Sequence, residues 1–376
     1  MNWTPIITRV LRLRTQSSFL SFTRLQSTLS PTEPLKIAFF GSDEFSVASL
    51  NKLHQLQQQQ PTKIDSIHVI TRSIKPKGRG LKIYADLPIG TFSTDIGIPI
   101  LRADTSTEIL DTLKQHEFSI AIAVSYGKLI PGKFIKSCKY GGLNVHPSVL
   151  PKYSGSAPLQ YALINDDQFT GCTVQTLHPS KFDHGDIILQ KGEVPIRDED
   201  NYISLRDRLG EIGGELLAQT INQGLYLKPA HLHENLNHSE FSLASKIPSS
   251  KSQALWDQLS TRQIKRLYDA LGPLFTFIQV DITRKKKHIY EKQRVILSEI
   301  KELKEDDYTQ ELIQDLSKPG DFTLGRSGLI IRASDGYVSA GRITMQAQQE
   351  ESPERFLGSY NKKVGNTPKQ FLVQDV

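Results

Sequence analysis

Asn144 and His146 stand two residues apart where a short apolar run ends, at the start of the segment NVHPSVLPKYSG (144–155). Side chains alternate across a β-strand, so these two would point to the same side of one. An amide and an imidazole held side by side can donate two hydrogen bonds to a single oxygen. Enzymes stabilise the negative charge of acyl transfer in this way. A polar strand end that serves only the fold is the alternative interpretation.

A catalytic imidazole needs a carboxylate that fixes its orientation and tunes its charge. The segment KFDHGD (181–186) supplies Asp183, and Gly185 permits a tight approach of the chain after it. The sequence therefore offers an amide, an imidazole and a carboxylate for a single site.

A metal site and a nucleophilic site are the alternatives to this arrangement. A metal cluster would be made of His178, Asp183, His184 and Asp186. Their spacing matches no familiar zinc pattern, so we predict no metal. A nucleophilic serine is not indicated, because the chain has no GxSxG motif. The two cysteines, Cys138 and Cys172, are expected to pack as small apolar groups.

The elements that must position these residues alternate between short apolar runs and helical patterns. The strand candidates are 35–41, 67–71, 98–103, 118–125, 141–146, 173–178 and 186–194, and the helix candidates are 43–53, 107–116 and 204–221. Apolar runs separated by helices predict a Rossmann-like α/β domain, with a mostly parallel sheet and helices on both faces. Ligands bind such sheets at the carboxyl ends of the strands, where Asn144 and His146 fall. The glutamine run 57–60 is interpreted as a loop.

Residues 226–245 break this rhythm with a proline and several His, Asn and Ser residues, which is typical of an interdomain linker. Beyond them the pattern changes to one helix followed by strands. The helix is expected at 261–271 and the strands at 275–282, 288–297, 328–336 and 337–347. Short strands with turn residues between them predict a small OB-like β-barrel. We therefore divide the chain into a catalytic domain (33–225), a linker (226–245) and a C-terminal β-barrel domain (246–376).

The first 32 residues contain four arginines and no acidic residue, and they are rich in Ser and Thr. Arginines that interrupt an apolar helical face predict a mitochondrial transit peptide and a location in the matrix. A basic arm that stays attached is the alternative. No apolar run approaches the length of a membrane span, so no membrane association is expected.

The positive charge of the remaining chain lies in its C-terminal third. Residues 241–376 carry 21 Lys and Arg against 17 Asp and Glu, whereas residues 33–240 are slightly acidic. This asymmetry is compatible with a polyanionic partner and also with an ordinary solvated surface. Lys285, Lys286 and Lys287 form a basic run that is either a nucleic-acid contact or a solvated turn.

Three segments, in this order and spacing, resemble the folate-dependent formyltransferases. They are SYGKLIP (125–131), GGLNVHPSVLPKYSGSAPLQYALIND (141–166) and FDHGD (182–186). The segment after the linker and the barrel that follows resemble the members of the family that act on an aminoacylated tRNA. The resemblance extends from Lys36 to the C-terminus, and its most specific part is the Asn-x-His-Pro-Ser-x-Leu-Pro block.

The resemblance implies the reaction. The formyl donor is 10-formyltetrahydrofolate as co-substrate, the acceptor is the α-amino group of initiator methionyl-tRNA, and no metal is needed. Asn144, His146 and Asp183 match the catalytic amide, imidazole and carboxylate. We expect a monomer.

The resemblance also implies binding residues. The backbone that lines the pterin pocket matches Tyr126, Gly127, Lys128, Leu129 and Ile130, and the stiff loop against which the folate packs matches Ser148, Val149, Leu150 and Pro151. The basic loop that reaches the tRNA acceptor end matches Lys75, Lys77 and Arg79. Lys285, Lys286 and Lys287 are the candidate tRNA contacts of the barrel.

The sequence departs from the family pattern in two places. Around Asp183, Lys181-Phe182 and His184 replace the usual Gly-Leu and Thr, and residues 41–44 read Gly-Ser-Asp-Glu in place of Gly-Thr-Pro-Glu.

Other classes of function are alternatives to formyl transfer onto a tRNA. A dinucleotide oxidoreductase would share the sheet but needs a GxGxxG motif that is absent. A folate-dependent hydrolase, or a formyltransferase acting on an amino sugar, would keep the same three residues. A non-catalytic RNA-binding module would not need them.

Overall fold

The computed structural model describes residues 33–77, 80, 83–227, 241–284 and 286–373. The predicted transit peptide, most of the predicted linker, Arg79, Lys285 and the side chains of Lys77 and Lys287 lie outside this description. No helix among the described residues is both long and apolar enough to cross a membrane.

A seven-stranded sheet forms the centre of the N-terminal domain. Its strands are β1 (Leu35–Gly41), β2 (Ile64–Thr71), β5 (Ile100–Arg102), β6 (Ile120–Val124), β7 (Gly142–His146), β8 (Phe169–Thr176) and β9 (Ile187–Pro195). Their order is β5-β2-β1-β6-β7-β8-β9. The pairs from β5 to β7 are parallel, and β8 and β9 are antiparallel to their neighbours. A separate hairpin is formed by β3 (Lys75–Lys77) and β4 (Ile83–Ala85). The prediction of a mostly parallel sheet is confirmed.

Helices cover both faces of this sheet. They are α1 (Glu44–Gln59), α2 (Pro88–Asp95), α3 (Ser106–Asp111), α4 (Gly132–Ser137), α5 (Pro158–Ile164) and α6 (Tyr202–Asn222). Alternate residues of β1 belong to two different cores, with Ile37 and Phe39 on one face and Ala38 and Phe40 on the other. This alternation explains why the buried strands read as continuous apolar runs. The interpretation of 57–60 as a loop was wrong for Gln57–Gln59, which continue α1, because the packed apolar face of that helix overrides the polar run.

One helix, α6, backs the strand that carries the candidate catalytic residues. Asn201 caps its start by accepting from Ser204 N, with Ser204 bonding back to the Asn201 backbone. Gly213 of α6 has no room for a side chain, since a Cβ there would lie 2.9 Å from Val145 of β7. The glycine therefore lets the helix close onto the strand between Asn144 and His146.

The C-terminal domain is built on two small sheets with a core of its own. Its elements are α7 (Thr261–Leu271), β10 (Leu274–Arg284), β11 (Lys287–Ser298), β12 (Lys301–Glu302), α8 (Gln310–Ile313), β13 (Phe322–Gly325), β14 (Gly328–Arg332), β15 (Tyr337–Ala340), β16 (Arg342–Met345), α9 (Pro353–Gly358) and α10 (Tyr360–Lys363). The sheets have the orders β10-β11-β16 and β12-β15-β14-β13. Trp256 and Phe322 are buried in their core. A small β domain is confirmed, but the predicted strand 337–347 is two strands, because the chain passes from one sheet to the other at Gly341.

An ion-pair network joins the two domains. Arg266 of α7 is buried and its Nε donates to Asp166 Oδ1 at 2.7 Å, next to the end of α5. Arg262 Nη2 donates to the same oxygen at 2.8 Å. Hydrogen bonds from these guanidinium groups, the one from Arg262 first, hold the pKa of Asp166 below its ordinary value. The C-terminal domain is thereby fixed to the segment that follows α5.

Candidate active site

Strand β7 carries Asn144 and His146 to the carboxyl end of the sheet. It lies between β6 and β8, with Asn144 paired with Ala123 on one side and Gln175 on the other. His146 is 5% exposed and Asn144 is half-buried. The two-residue spacing therefore places both side chains on one side of the strand, as predicted.

A tight turn after β8 brings Asp183 to β7. Asp183 has a φ of 52°, in the left-handed region. At Gly185 a Cβ atom would lie only 1.7 Å from Thr176 O, so the chain passes against the backbone of β8 where no other residue fits. Gly185 N also donates to Gln175 Oε1 at 3.1 Å. These constraints return the carboxylate to Asn144 and His146.

Donors from three side chains converge on one oxygen of Asp183. Its Oδ1 is 3.4 Å from Asn144 Nδ2, 3.4 Å from His146 Nδ1 and 3.3 Å from Gln175 Nε2. Its other oxygen accepts from Gly155 N at 2.8 Å. The structure thus brings the three predicted catalytic residues together, and it shows that this set of donors can surround a single negatively charged oxygen.

His146 is held at both ring nitrogens. Its Nε2 lies 2.9 Å from the carbonyl oxygen of Tyr153, which can only accept, so Nε2 carries a proton. Its Nδ1 lies 3.4 Å from Asp183 Oδ1, so the carboxylate faces the second ring nitrogen.

A cavity of about 570 Å³ opens beside these residues. All five residues from Tyr126 to Ile130 line it, and Gly127 has a positive φ that turns the chain along its wall. Two lining side chains expose apolar surface, Leu129 at 40% and Phe182 at 59%. The volume of this cavity, its apolar lining and its few polar groups are typical of a site that binds a small molecule.

The loop of Ser148, Val149, Leu150 and Pro151 is hydrogen-bonded to β8. These four residues are not among those that line the cavity. Ser148 Oγ donates to Lys152 O at 2.6 Å, and Leu150 N donates to Thr173 Oγ1 at 3.1 Å. The peptide bond between Leu150 and Pro151 is cis. Of this stiff segment, Pro147 is the residue that reaches the cavity.

The candidate tRNA-contacting residues lie in two separate places. Lys75 is on β3, largely exposed, with its Nζ 3.3 Å from Asp104 Oδ1. Lys286 is at the turn between β10 and β11 in the other domain, with a φ of 66°. These two described lysines therefore belong to different domains.

The residues of the alternative metal cluster are used differently. His178 Nδ1 accepts from the backbone N–H of Ser180 and of Lys181. His184 Nδ1 faces the carbonyl oxygen of Phe182 at 2.5 Å. Across the part of the chain that the structure describes, no three His, Cys, Asp or Glu side chains are arranged to hold a metal ion.

The sequence reasoning missed two polar residues of this site. Gln175 is buried and bonds both Asp183 and Gly185 N. A glutamine inside an apolar strand was the available signal. Asp43 caps α1 by accepting from Ser46 N at 3.1 Å and lines the cavity, and burial raises the pKa of its carboxyl. It lies in the loop 41–44 that departs from the family pattern.

Comparison with known proteins adds relatives for nearly the whole chain. A family model described as formyl transferase matches residues 35–221. The mitochondrial methionyl-tRNA formyltransferase of Saccharomyces cerevisiae is 34% identical over 374 residues, covering 89% of this chain and 92% of the relative. The methionyl-tRNA formyltransferase of Thermodesulfovibrio yellowstonii is 33% identical and covers 63% and 73%.

Solved structures share the fold at lower identity. HypX from Aquifex aeolicus in complex with tetrahydrofolic acid superposes with a TM-score of 0.52 at 17% identity, covering 88% of this chain and 48% of that one. An N-formyltransferase from Helicobacter canadensis, in complex with folinic acid and dTDP-3-aminofucose, gives 0.51 at 15% identity, covering 84% and 100%.

Proposed function

Because the chain belongs to the methionyl-tRNA formyltransferase family, we propose that it transfers the formyl group of 10-formyltetrahydrofolate to the α-amino group of initiator methionyl-tRNA. One observation carries the proposal: Asn144, His146 and Asp183 meet beside a cavity that suits a folate. The formylated initiator tRNA is used to begin protein synthesis in mitochondria, the compartment that the name of the yeast relative gives.

The catalytic residues act on charge and protons. When bound, 10-formyltetrahydrofolate supplies an electrophilic formyl carbon. Asn144 and His146 donate to the formyl oxygen and stabilise the negative charge that develops on it, and each lowers the chemical barrier by about 3–4 kcal/mol. Asp183 orients the imidazole. The amine nitrogen bonds to the formyl carbon and passes a proton to the Asp183 carboxylate. The bond between the formyl carbon and the folate nitrogen then breaks as that nitrogen takes up the proton, which releases tetrahydrofolate.

The cavity walls supply positioning. Tyr126 to Ile130 hold the pterin end of the folate with their backbone, and Leu129 and Phe182 cover its apolar surface. Ser148, Val149, Leu150 and Pro151 support this wall from behind, since their hydrogen bonds to β8 fix the start of the loop that carries Pro147. Holding donor and acceptor in a reactive geometry is a large part of such catalysis.

The acceptor is positioned by basic residues of both domains. Lys285, Lys286 and Lys287 contact tRNA phosphates, which fixes orientation without reading sequence. Lys75, Lys77 and Arg79 direct the acceptor end toward His146. We propose that the protein acts as a monomer in the mitochondrial matrix, directed there by residues 1–32. A reporter fused to those residues should enter mitochondria, and one that stays cytosolic would contradict the location.

One assay tests the function. Purified protein is incubated with 10-formyltetrahydrofolate and charged mitochondrial initiator tRNA, and formyl-methionine is measured against His146→Ala as the control. Formylation that depends on His146 is expected. Turnover of the folate without a tRNA acceptor, together with no formyl-methionine, would instead indicate a hydrolase.

A further inference from the structure

Residues 241–245, where the chain enters the C-terminal domain, run alongside the loop 151–157 of the catalytic domain. We call residues 241–245 the connector. Ser154 and Leu243 form a parallel bridge. Ser154 N donates to Ser242 O at 2.9 Å, and Ala244 N donates back to Ser154 O at 2.7 Å. The connector is therefore joined to this loop by an isolated parallel β-bridge.

Backbone contacts and the buried Ala244 hold the connector in place. The side chains of Phe241 and Leu243 are 54% and 63% exposed. Ala244 is buried against Gly155, where a Cβ atom would lie 2.5 Å from Ala244 O. Glycine at 155 is what allows the two backbones to approach this closely.

One side chain of the connector adds a specific bond. Ser242 Oγ accepts from Tyr153 N at 2.9 Å. Without this hydroxyl the Tyr153 N–H would lose its partner, which is costly for a group that is shielded from water.

The same loop holds the catalytic pair with its other polar groups. Tyr153 O accepts from His146 Nε2 at 2.9 Å. Gly155 N donates to Asp183 Oδ2 at 2.8 Å. Tyr153 and Gly155 thus stand between the connector on one side and His146 and Asp183 on the other.

The C-terminal domain also reaches this loop by a second route. Tyr153 Oη donates to Asp167 Oδ2 at 2.8 Å and accepts from Asn165 Nδ2 at 2.9 Å. The residue between these two, Asp166, is the one bound by Arg262 and Arg266 of α7. Tyr153 is therefore bonded to the connector through Ser242 and to the neighbours of Asp166, the residue that carries the interdomain ion pairs.

We propose that the connector is a positioning element for catalysis, and that Ser242 is a positioning residue that sets the geometry of His146 and Asp183 through the loop 153–155. The C-terminal domain would then contribute to the chemical step and not only to tRNA binding. The inference takes the proposed formyl transfer as its reaction.

The test uses the full chain with three variants. Ser242→Ala removes the acceptor of Tyr153 N, Ser242→Thr retains a hydroxyl, and Leu243→Ala is a control at an exposed neighbour of the same connector. We expect Ser242→Ala to lower kcat about tenfold while KM for methionyl-tRNA stays within about twofold, because the removed bond acts on the catalytic pair. Ser242→Thr and Leu243→Ala should keep kcat within about twofold of the parent protein.

A second measurement is independent of activity. Hydrogen exchange at the Gly155 amide, which bonds Asp183 and not Ser242, should be about tenfold faster in Ser242→Ala than in Leu243→Ala. A folded Ser242→Ala protein with parental kcat and unchanged Gly155 exchange would overturn the proposal, as would equal losses in the Ala and Thr variants. A parent protein without formyl transfer would overturn the proposed function, and the exchange comparison would still decide the connector's role.

Discussion

Asn144 and Gln175 lie directly opposite each other on the antiparallel strands β7 and β8, and both of their amide nitrogens approach Oδ1 of Asp183. The cross-strand pair therefore holds the carboxylate from two sides, with His146 Nδ1 as the third donor. Gln175 also accepts from Gly185 N, so it fixes the turn on which Asp183 stands.

Gln175→Glu should impair catalysis through charge. The new carboxylate would retain an acceptor for Gly185 N but would place a like charge beside Asp183, which raises the pKa of a carboxyl. We expect kcat to fall about tenfold and the acid limb of the pH–rate profile to move to higher pH. Gln175→Met, which removes both bonds without adding charge, should lower kcat and leave the acid limb closer to that of the parent. Coincident profiles for the two variants would contradict the role of charge.

Asn144→Ala and His146→Ala remove the two proposed donors to the formyl oxygen. Each should lower kcat by about two to three orders of magnitude with tRNA affinity nearly unchanged, because the donors act in the transition state. Steady-state kinetics with separate tRNA-binding measurements test this. Parental turnover in either variant would remove these residues from the reaction.

Asp183→Asn keeps the shape of the side chain and removes its charge. The folded variant should still bind tetrahydrofolate, lose most of its turnover and show an altered pH–rate profile, since His146 loses its charged partner. Chelation of divalent metals should leave the parent enzyme fully active. Activity that depends on added metal would favour the metal cluster.

Two carboxylates of the catalytic domain should change the stability of the fold with pH in opposite directions, and ionised Asp200 stabilises it. Burial alone would raise the pKa of Asp200, but bonds from Arg208, Arg197 N and Ser204 outweigh it and lower the pKa to about 2. The charged form therefore stabilises the fold above about pH 4, and this contribution is lost as the pH falls toward 2. Asp200→Asn should lower the free energy of unfolding by about 2 kcal/mol at pH 7, with the difference shrinking between pH 4 and 2.

Asp43 is the opposite case. Burial raises the pKa of its carboxyl, so the folded state releases this proton at higher pH than the unfolded state does. The stability of the parent protein is thus reduced as the pH rises through that interval. Asp43→Asn retains an acceptor for Ser46 N and should become more stable relative to the parent as the pH rises from 3 to 7. Denaturant unfolding at several pH values tests both variants, and a pH-independent difference would contradict the linkage.

The basic groups of the two domains should differ in kinetic effect. Replacing Lys285, Lys286 and Lys287 with alanine should raise KM for tRNA and reduce the salt dependence of binding, by a slope of about 1 for each phosphate that is no longer neutralised. Changing Lys77 and Arg79 should lower kcat more than affinity, because that loop aligns the acceptor end. Equal effects of the two sets on affinity would place both in general phosphate binding.

The sequence by itself determined the sheet and the candidate catalytic residues. Period-2 placement put Asn144 and His146 on one side of a strand, and apolar runs alternating with helical patterns predicted the mostly parallel sheet whose strand ends form the site. These features depend on local periodicity, which a single chain displays directly. Residue roles at Tyr126–Ile130 and in the loop 148–151 came from family resemblance and remain predictions.

Only the tertiary structure decided what surrounds those residues. Gln175 acquires its position from the antiparallel register of β8 against β7, and register is not encoded in the spacing of one strand. Ser242 is 89 residues away from Tyr153 in sequence and meets it because the connector folds back along the loop 151–157. Contacts between such distant segments depend on how the whole chain packs, so the support of the catalytic pair could be read only from the fold.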